Sequence, residues 1–262
     1  MSHLPLLTER RGGVLILSNN HAPWNMMSFA YMDALEAAVE QAATDPAVRA
    51  LVITAEGDQH FSVGMNLKEL VTQADARGGA DAVLDQRLRV LERIERLGKP
   101  SVATLFGFCL GGGLELPLAC HFRLAADQGA QIGLPELELG TVPAWGGTAR
   151  LTRCVGRDRA LDMILRARKI DGAEALRIGL VHSLHPAASL KAAAIALAQE
   201  LAVFPSPSVA GVLRCVVEAG ELPLADALRV EREAVQACRA CGNQDEGLAA
   251  FAAKRPPRFP VP

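Results

Sequence analysis

The sequence predicts an α/β fold: one structural unit of 262 residues with a helical C-terminal part. Three observations carry this. Short apolar runs bounded by turn residues alternate with stretches of helical apolar spacing, as strands alternate with crossover helices. The first such succession is strand–helix–strand, an order that calls for parallel pairing through a right-handed crossover. Three consecutive glycines, Gly111, Gly112 and Gly113, then stand where a central strand runs into a helix.

The elements follow in order. Residues 14–17 form a short apolar strand, followed by a loop over 19–25. Ser28 is a helix cap, and 31–44 run with helical spacing until Asp45-Pro46 ends them. Residues 50–54 form a second buried strand. The loop over 55–69 has glycines on both sides of Phe61-Ser62 and feeds a helical run. Residues 74–82 are small, polar and glycine-containing, which predicts a mobile segment. Residues 83–97 return to helical spacing with many charges on a solvated face, and Gly98-Lys99-Pro100 stops them and opens the central strand, 100–105. Residues 122–125 and 130–133 give two more strands. Pro135 stands where a helix can begin, with Glu136 directly after it, and 141–147 form another glycine-bearing turn. Further helices start near 161, and from 189 on the chain is almost wholly helical, broken once at 205–208. With no linker and no internal repeat, the simplest division is a core over 1–188 and a helical region over 189–262 within one unit.

The glycine stretch, 106–115, carries chemistry. Bare backbone lets a ligand atom come close, and the first N–H groups of a helix favour a negatively charged oxygen. Glu115 falls in that first turn. An oxyanion-binding backbone beside a carboxylate is a catalytic arrangement; a tight turn that needs glycine only for packing is the alternative. For Glu136 the alternative is a carboxylate on a helix dipole, as at Glu138.

Composition excludes several classes. A net charge of −2 with half the residues hydrophobic leaves no broad electrostatic footprint for nucleic acid. No stretch approaches the ~20 apolar residues of a membrane span, and 1–5 carry no leader pattern, so a cytoplasmic protein is expected. The six cysteines (109, 120, 154, 215, 238, 241) read as reduced thiols. Cys238 and Cys241 have CxxC spacing but no second pair, and the histidines (3, 21, 60, 121, 182, 185) show no ligand spacing, so no metal is expected.

The glycine stretch, the 57–69 loop and the 134–150 segment together resemble the enoyl-CoA hydratase/isomerase (crotonase) superfamily, from about Val14 to Arg255. The resemblance implies a spiral of ββα units with two roughly perpendicular sheets and a C-terminal trimerisation region, in a homotrimer or a dimer of trimers. It implies an acyl-CoA thioester substrate, with coenzyme A part of the substrate and no separate cofactor. The oxyanion hole would be the N–H groups of Met65 and Gly112, and the paired carboxylates Glu115 and Glu136, with Glu136 the main acid/base and Glu115 orienting water. Trp24, Asn25, Asn66, Leu67, Lys68, Gly111 and Trp145 would bind substrate or CoA, and Phe251 and Lys254 would reach a neighbouring subunit's CoA. Met65 stands where alanine is common, Asn66 where aspartate is frequent, Trp145 where small residues are usual, and Pro117 falls inside the expected helix. The paired glutamates favour an enoyl-CoA hydratase, adding water across a 2-enoyl double bond. The alternatives are a Δ3,Δ2-enoyl-CoA isomerase, another CoA-enolate reaction such as hydrolysis, dehalogenation or decarboxylation, and a non-enzymatic acyl-CoA or RNA binder.

Overall fold

A computed structural model describes residues 4–219 and 222–259; Met1, Ser2 and His3, and with them the start of the leader-segment reading, lie outside the described residues. The main sheet has six strands in the order β1 (Leu6–Arg11), β2 (Val14–Asn19), β3 (Ala50–Ala55), β4 (Ser101–Leu105), β6 (Phe122–Ala126) and β8 (Ser183–His185). A second sheet pairs β5 (Phe108–Leu110) with β7 (Gln131–Gly133). Every pairing is parallel except the β1–β2 hairpin. All six residues of β3 and all five of β4 are buried, so both faces of the sheet centre are covered. That is why these strands read as continuous apolar runs.

Ser28 caps α1 (Phe29–Thr44) as expected, its Oγ accepting from the N–H of Tyr31 at 3.1 Å. Residues 74–82, expected as a mobile stretch, instead fold into a 3-10 turn (Asp75–Arg77) and the first turn of α3 (Ala80–Glu95). Gly78, in the left-handed region, closes that turn. β1 and β8 carry no signal in the sequence pattern. β1 is an exposed edge strand, Leu-Leu-Thr-Glu-Arg-Arg, that exists because β2 offers it a partner. β8 has three half-buried residues.

α2 (Leu67–Gln73) follows the 61–65 loop, and α4 (Gly112–Leu118) follows β5. Pro117 lies inside this seven-residue helix and is buried with the rest of it. α5 (Gly147–Val155), α6 (Arg157–Leu165) and α7 (Gly172–Arg177) lead to β8. α8 (Ala187–Ala202) then packs across β2, β3, β4, β6 and β8. α9 (Ser206–Ala219), α10 (Leu224–Ala240) and α11 (Asn243–Ala252) pack mainly on one another. The helical stretch is therefore interrupted again before Leu224 and at Cys241–Gly242, not only at 205–208. No single described helix is long and apolar enough to cross a membrane. None of the six cysteines is in a disulfide.

Candidate active site

β5 assembles the site because it has a neighbour on each side. On one side the N–H of Ser62 donates to Phe108 O at 3.0 Å and the N–H of Leu110 donates to Ser62 O at 3.1 Å, which docks the 61–65 loop against the strand. On the other side β7 pairs with β5, and the N–H of Gly111 donates to Gly133 O at 3.1 Å. The chain leaving β7, Leu134-Pro135-Glu136, is thereby placed beside Gly111. A Cβ on Gly111, whose φ is +55°, would lie 3.0 Å from Glu136 Oε1.

Met65 and Gly112 both border the gap so formed. Met65 forms a parallel bridge with Met27, but its bonds are made by neighbours: Met27 N–H to Gly64 O at 2.8 Å and Asn66 N–H to Met27 O at 3.2 Å. The Met65 N–H points away from that ladder. Gly112 opens α4, so its N–H has no partner in its own helix. Gly64, one residue before Met65, would carry a Cβ 3.3 Å from Gly112 N, so the two segments lie against each other. Ser62 braces this approach: its Oγ accepts from Gly64 N–H at 3.0 Å and donates to Asn25 O at 2.7 Å.

Glu115, one turn into α4, is buried. Its Oε1 accepts from the N–H of Trp145 at 2.8 Å and of Gly147 at 2.9 Å. Burial pushes its pKa up to about 7; the Gly147 and Trp145 N–H bonds and the Arg150 charge pull the other way, while the Glu136 charge adds to the rise. Burial also raises Glu136, whose Oε2 is enclosed without a hydrogen-bond partner. Arg150 fixes the turn that holds Glu115: it donates to Trp145 O at 2.9 Å and to Glu95 Oε2 at 2.8 Å. The sequence alone does not single out Arg150, because its partner lies 55 residues away and leaves no local mark.

The raised Glu115 pKa has a consequence for stability. The folded state holds this proton more tightly than the unfolded chain, so stability is lost as pH rises from about 4.5 to about 7. Glu115→Gln is therefore expected to be more stable than wild type at pH 8, by on the order of 3 kcal/mol, with no gain below pH ~4. Thermal melts of both proteins at the two pH values check this; equal gains at both would contradict it.

The two carboxylates open into a cleft of about 270 Å³. Gly111, Gly112, Met65, Leu67 and Trp145 border it, with Leu70, Leu84 and Val142 among the apolar walls. Trp145 is packed against the glycine turn so closely that a Cβ on Gly112 would fall 2.5 Å from its ring. Lys68 is exposed on α2 beside this opening. Asn66 caps α2, its Oδ1 accepting from Glu69 N–H at 3.4 Å.

Asn25 needs correction as a CoA-binding residue. It is fully buried, and its amide donates to Glu56 O and His60 O at 2.9 and 2.7 Å and accepts from His21 N–H at 3.0 Å. It braces the loop instead of meeting a ligand. Trp24 stands half-exposed in a stack with His60 and Phe108, outside the border of the cleft. Phe251 and Lys254 are exposed at the C-terminal end. Among the described residues no group of three or more His, Cys, Asp or Glu is placed to hold a metal ion.

A largely parallel α/β core whose glycine turn opens beside one buried and one half-buried carboxylate is the layout of the crotonase class. The enoyl-CoA hydratase/isomerase family model matches residues 9–261, so the chain belongs to that family. A probable enoyl-CoA hydratase of Rhizobium meliloti (strain 1021) is 38% identical over 260 residues, 99% of each chain. One of Bacillus subtilis (strain 168) is 35% identical over 249 residues, 94% of this chain and 95% of the relative. The solved enoyl-CoA hydratase of Bacillus anthracis superposes with a TM-score of 0.91 at 30% identity, covering 97% of this chain and 98% of that one.

Proposed function

We propose that the protein is an enoyl-CoA hydratase, adding water reversibly across the double bond of a 2-enoyl-CoA. The observation that carries this is the convergence of Glu115 and Glu136 on one cleft beside the Met65 and Gly112 N–H groups. The thioester carbonyl oxygen accepts from those two N–H groups, which are fixed before substrate arrives and stabilise the negative charge that builds on it. In hydration the water oxygen bonds to the β-carbon and its proton passes to Glu115, while the proton of Glu136 goes to the α-carbon. Dehydration runs the same steps backwards, with Glu136 ionised and Glu115 protonated. Both directions need the pair to hold one proton, and the partial or full burial that raises both carboxyls favours that. Activity is therefore expected to fall on either side of an optimum, the alkaline limb following loss of the shared proton.

Coenzyme A enters as part of the substrate, its chain leaving past Leu67 and Lys68. The exposed apolar residues of α9–α11, among them Val212, Val216, Leu228 and Leu248, support assembly of three copies through this region. The test of function is the absorbance of the conjugated thioester when the protein meets crotonyl-CoA, with the water adduct confirmed by mass. Rapid loss of absorbance is expected. Binding without loss would favour an isomerase or another enolate reaction.

A further inference from the structure

Behind the cleft lies a cation that the reaction above does not use. α3 buries the stripe Val83, Arg87, Val90, Leu91 and Ile94, and Arg87 in its middle has no exposed surface. Its guanidinium lies 5.1 Å from the ring centre of Phe29 and 5.9 Å from that of Trp145, the residue that walls the cleft. The Nη1 group donates to Gln86 Oε1, but Nε and Nη2 are buried with no hydrogen-bond partner. Ring faces offset part of the charge; they leave the two N–H donors unanswered. Burial pulls the pKa of Arg87 down to about 10, against the charges of Asp33, Glu69 and Glu36, so the group is charged at neutral pH and its two unanswered donors are costly.

Three features narrow what answers those donors. Nε and Nη2 form one edge of the guanidinium plane, the edge that takes both oxygens of a carboxylate in parallel. The carboxylates whose charge acts on Arg87, those of Asp33, Glu69 and Glu36, make no hydrogen bond to that edge. The cleft lies close by, since Leu84, three residues before Arg87 on α3, and Trp145 both border it.

We propose that the acyl group accepted by this cleft ends in a carboxylate, which passes the edge of Trp145 and pairs with Nε and Nη2 of Arg87. This rests on the enoyl-CoA reading. Leu84 and Leu70, both only partly buried, are the part of the wall that yields to admit the chain. The apolar wall then holds the methylenes, and Arg87 selects the terminus. An acyl group ending in methyl would leave the same donors unanswered, so the discrimination comes from the protein's own unpaired groups.

The experiment compares kcat/KM for simple 2-enoyl-CoAs and for 2-enoyl-CoAs bearing a terminal carboxylate, over a series of chain lengths, in wild type, Arg87→Met and Arg87→Lys. At the matching length the wild-type ratio should favour the carboxylate, and Arg87→Met should collapse that ratio by about 30-fold or more, as removal of one partner of a buried charge pair does. Arg87→Lys, which keeps the charge but not the parallel edge, should retain part of the preference. A ratio that is flat over all lengths in wild type, or one unchanged by Arg87→Met, overturns the proposal and leaves Arg87 a ring-stacked core residue with internal water. If neither substrate is hydrated, the reading of function fails, and binding of saturated thioesters decides this point separately. Glutaryl-CoA and adipyl-CoA should then bind wild type more tightly than butyryl-CoA and hexanoyl-CoA; equal affinity overturns the proposal. Should Arg87→Met not fold, the wild-type length series and Arg87→Lys give the same decision.

Discussion

Glu136→Gln is expected to lower turnover of a 2-enoyl-CoA by about 10²- to 10⁴-fold, the range general acid–base catalysis contributes. The amide has nearly the same shape as the carboxylic acid but carries no proton that the α-carbon can take. Glu136 Oε1 lies against Gly111, while Oε2 accepts nothing, so the side chain serves no bond that holds the fold. Melting temperature and affinity for a saturated acyl-CoA should therefore stay near wild type. Steady-state kinetics with calorimetric titration separates the two effects. A variant that binds and turns over like wild type would remove Glu136 from the chemistry. The pH profile gives a second readout, since removing one carboxyl of a coupled pair leaves a single titration where wild type shows two.

Much of this site is legible in the sequence, for reasons that differ by residue. Three adjacent glycines before a glutamate are rare enough to announce a backbone held close to something. Trp145 against Gly112 and Glu136 against Gly111 show what that is. The strands β3 and β4 are legible because burial on both faces leaves only apolar residues. β1 is not, since an exposed edge strand is defined by its partner and its own residues are mostly polar. The segment over 74–82 misleads because small and glycine residues mark both loops and tight 3-10 turns. Arg87 does carry a signal: an arginine in step with Val83, Val90 and Ile94 on one helical face. Among so many charges on a solvated helix, that spacing hides a cation that the fold encloses completely. Asn25 errs in the opposite direction, since its polar side chain serves three backbone groups and never reaches solvent.

Gly147→Ala should impair catalysis while sparing the fold, and the reason lies in a single added carbon. Gly147 opens α5 with an ordinary negative φ, so alanine suits the backbone there and is favoured over glycine in a helix by up to about 1 kcal/mol. Space is the difficulty. The new Cβ would stand 2.8 Å from both Cγ and Oε1 of Glu115 and 3.1 Å from Leu134 Cδ1. Leu134 is fully buried and cannot retreat, whereas a carboxylate held by two hydrogen bonds can swing. Glu115 therefore leaves the position in which it meets the attacking water, and a displacement of about 1 Å of that kind costs about 10²-fold in rate. The bond from Gly147 N–H holds the Glu115 pKa down, so weakening it lets burial push the pKa higher and moves the alkaline limb of the pH profile upward. A mere packing defect would lower the melting temperature and leave the limb where it was. Lower kcat with unchanged melting and a shifted limb is the expected combination; an unshifted limb with full activity would mean that Glu115 is not held for catalysis by this turn.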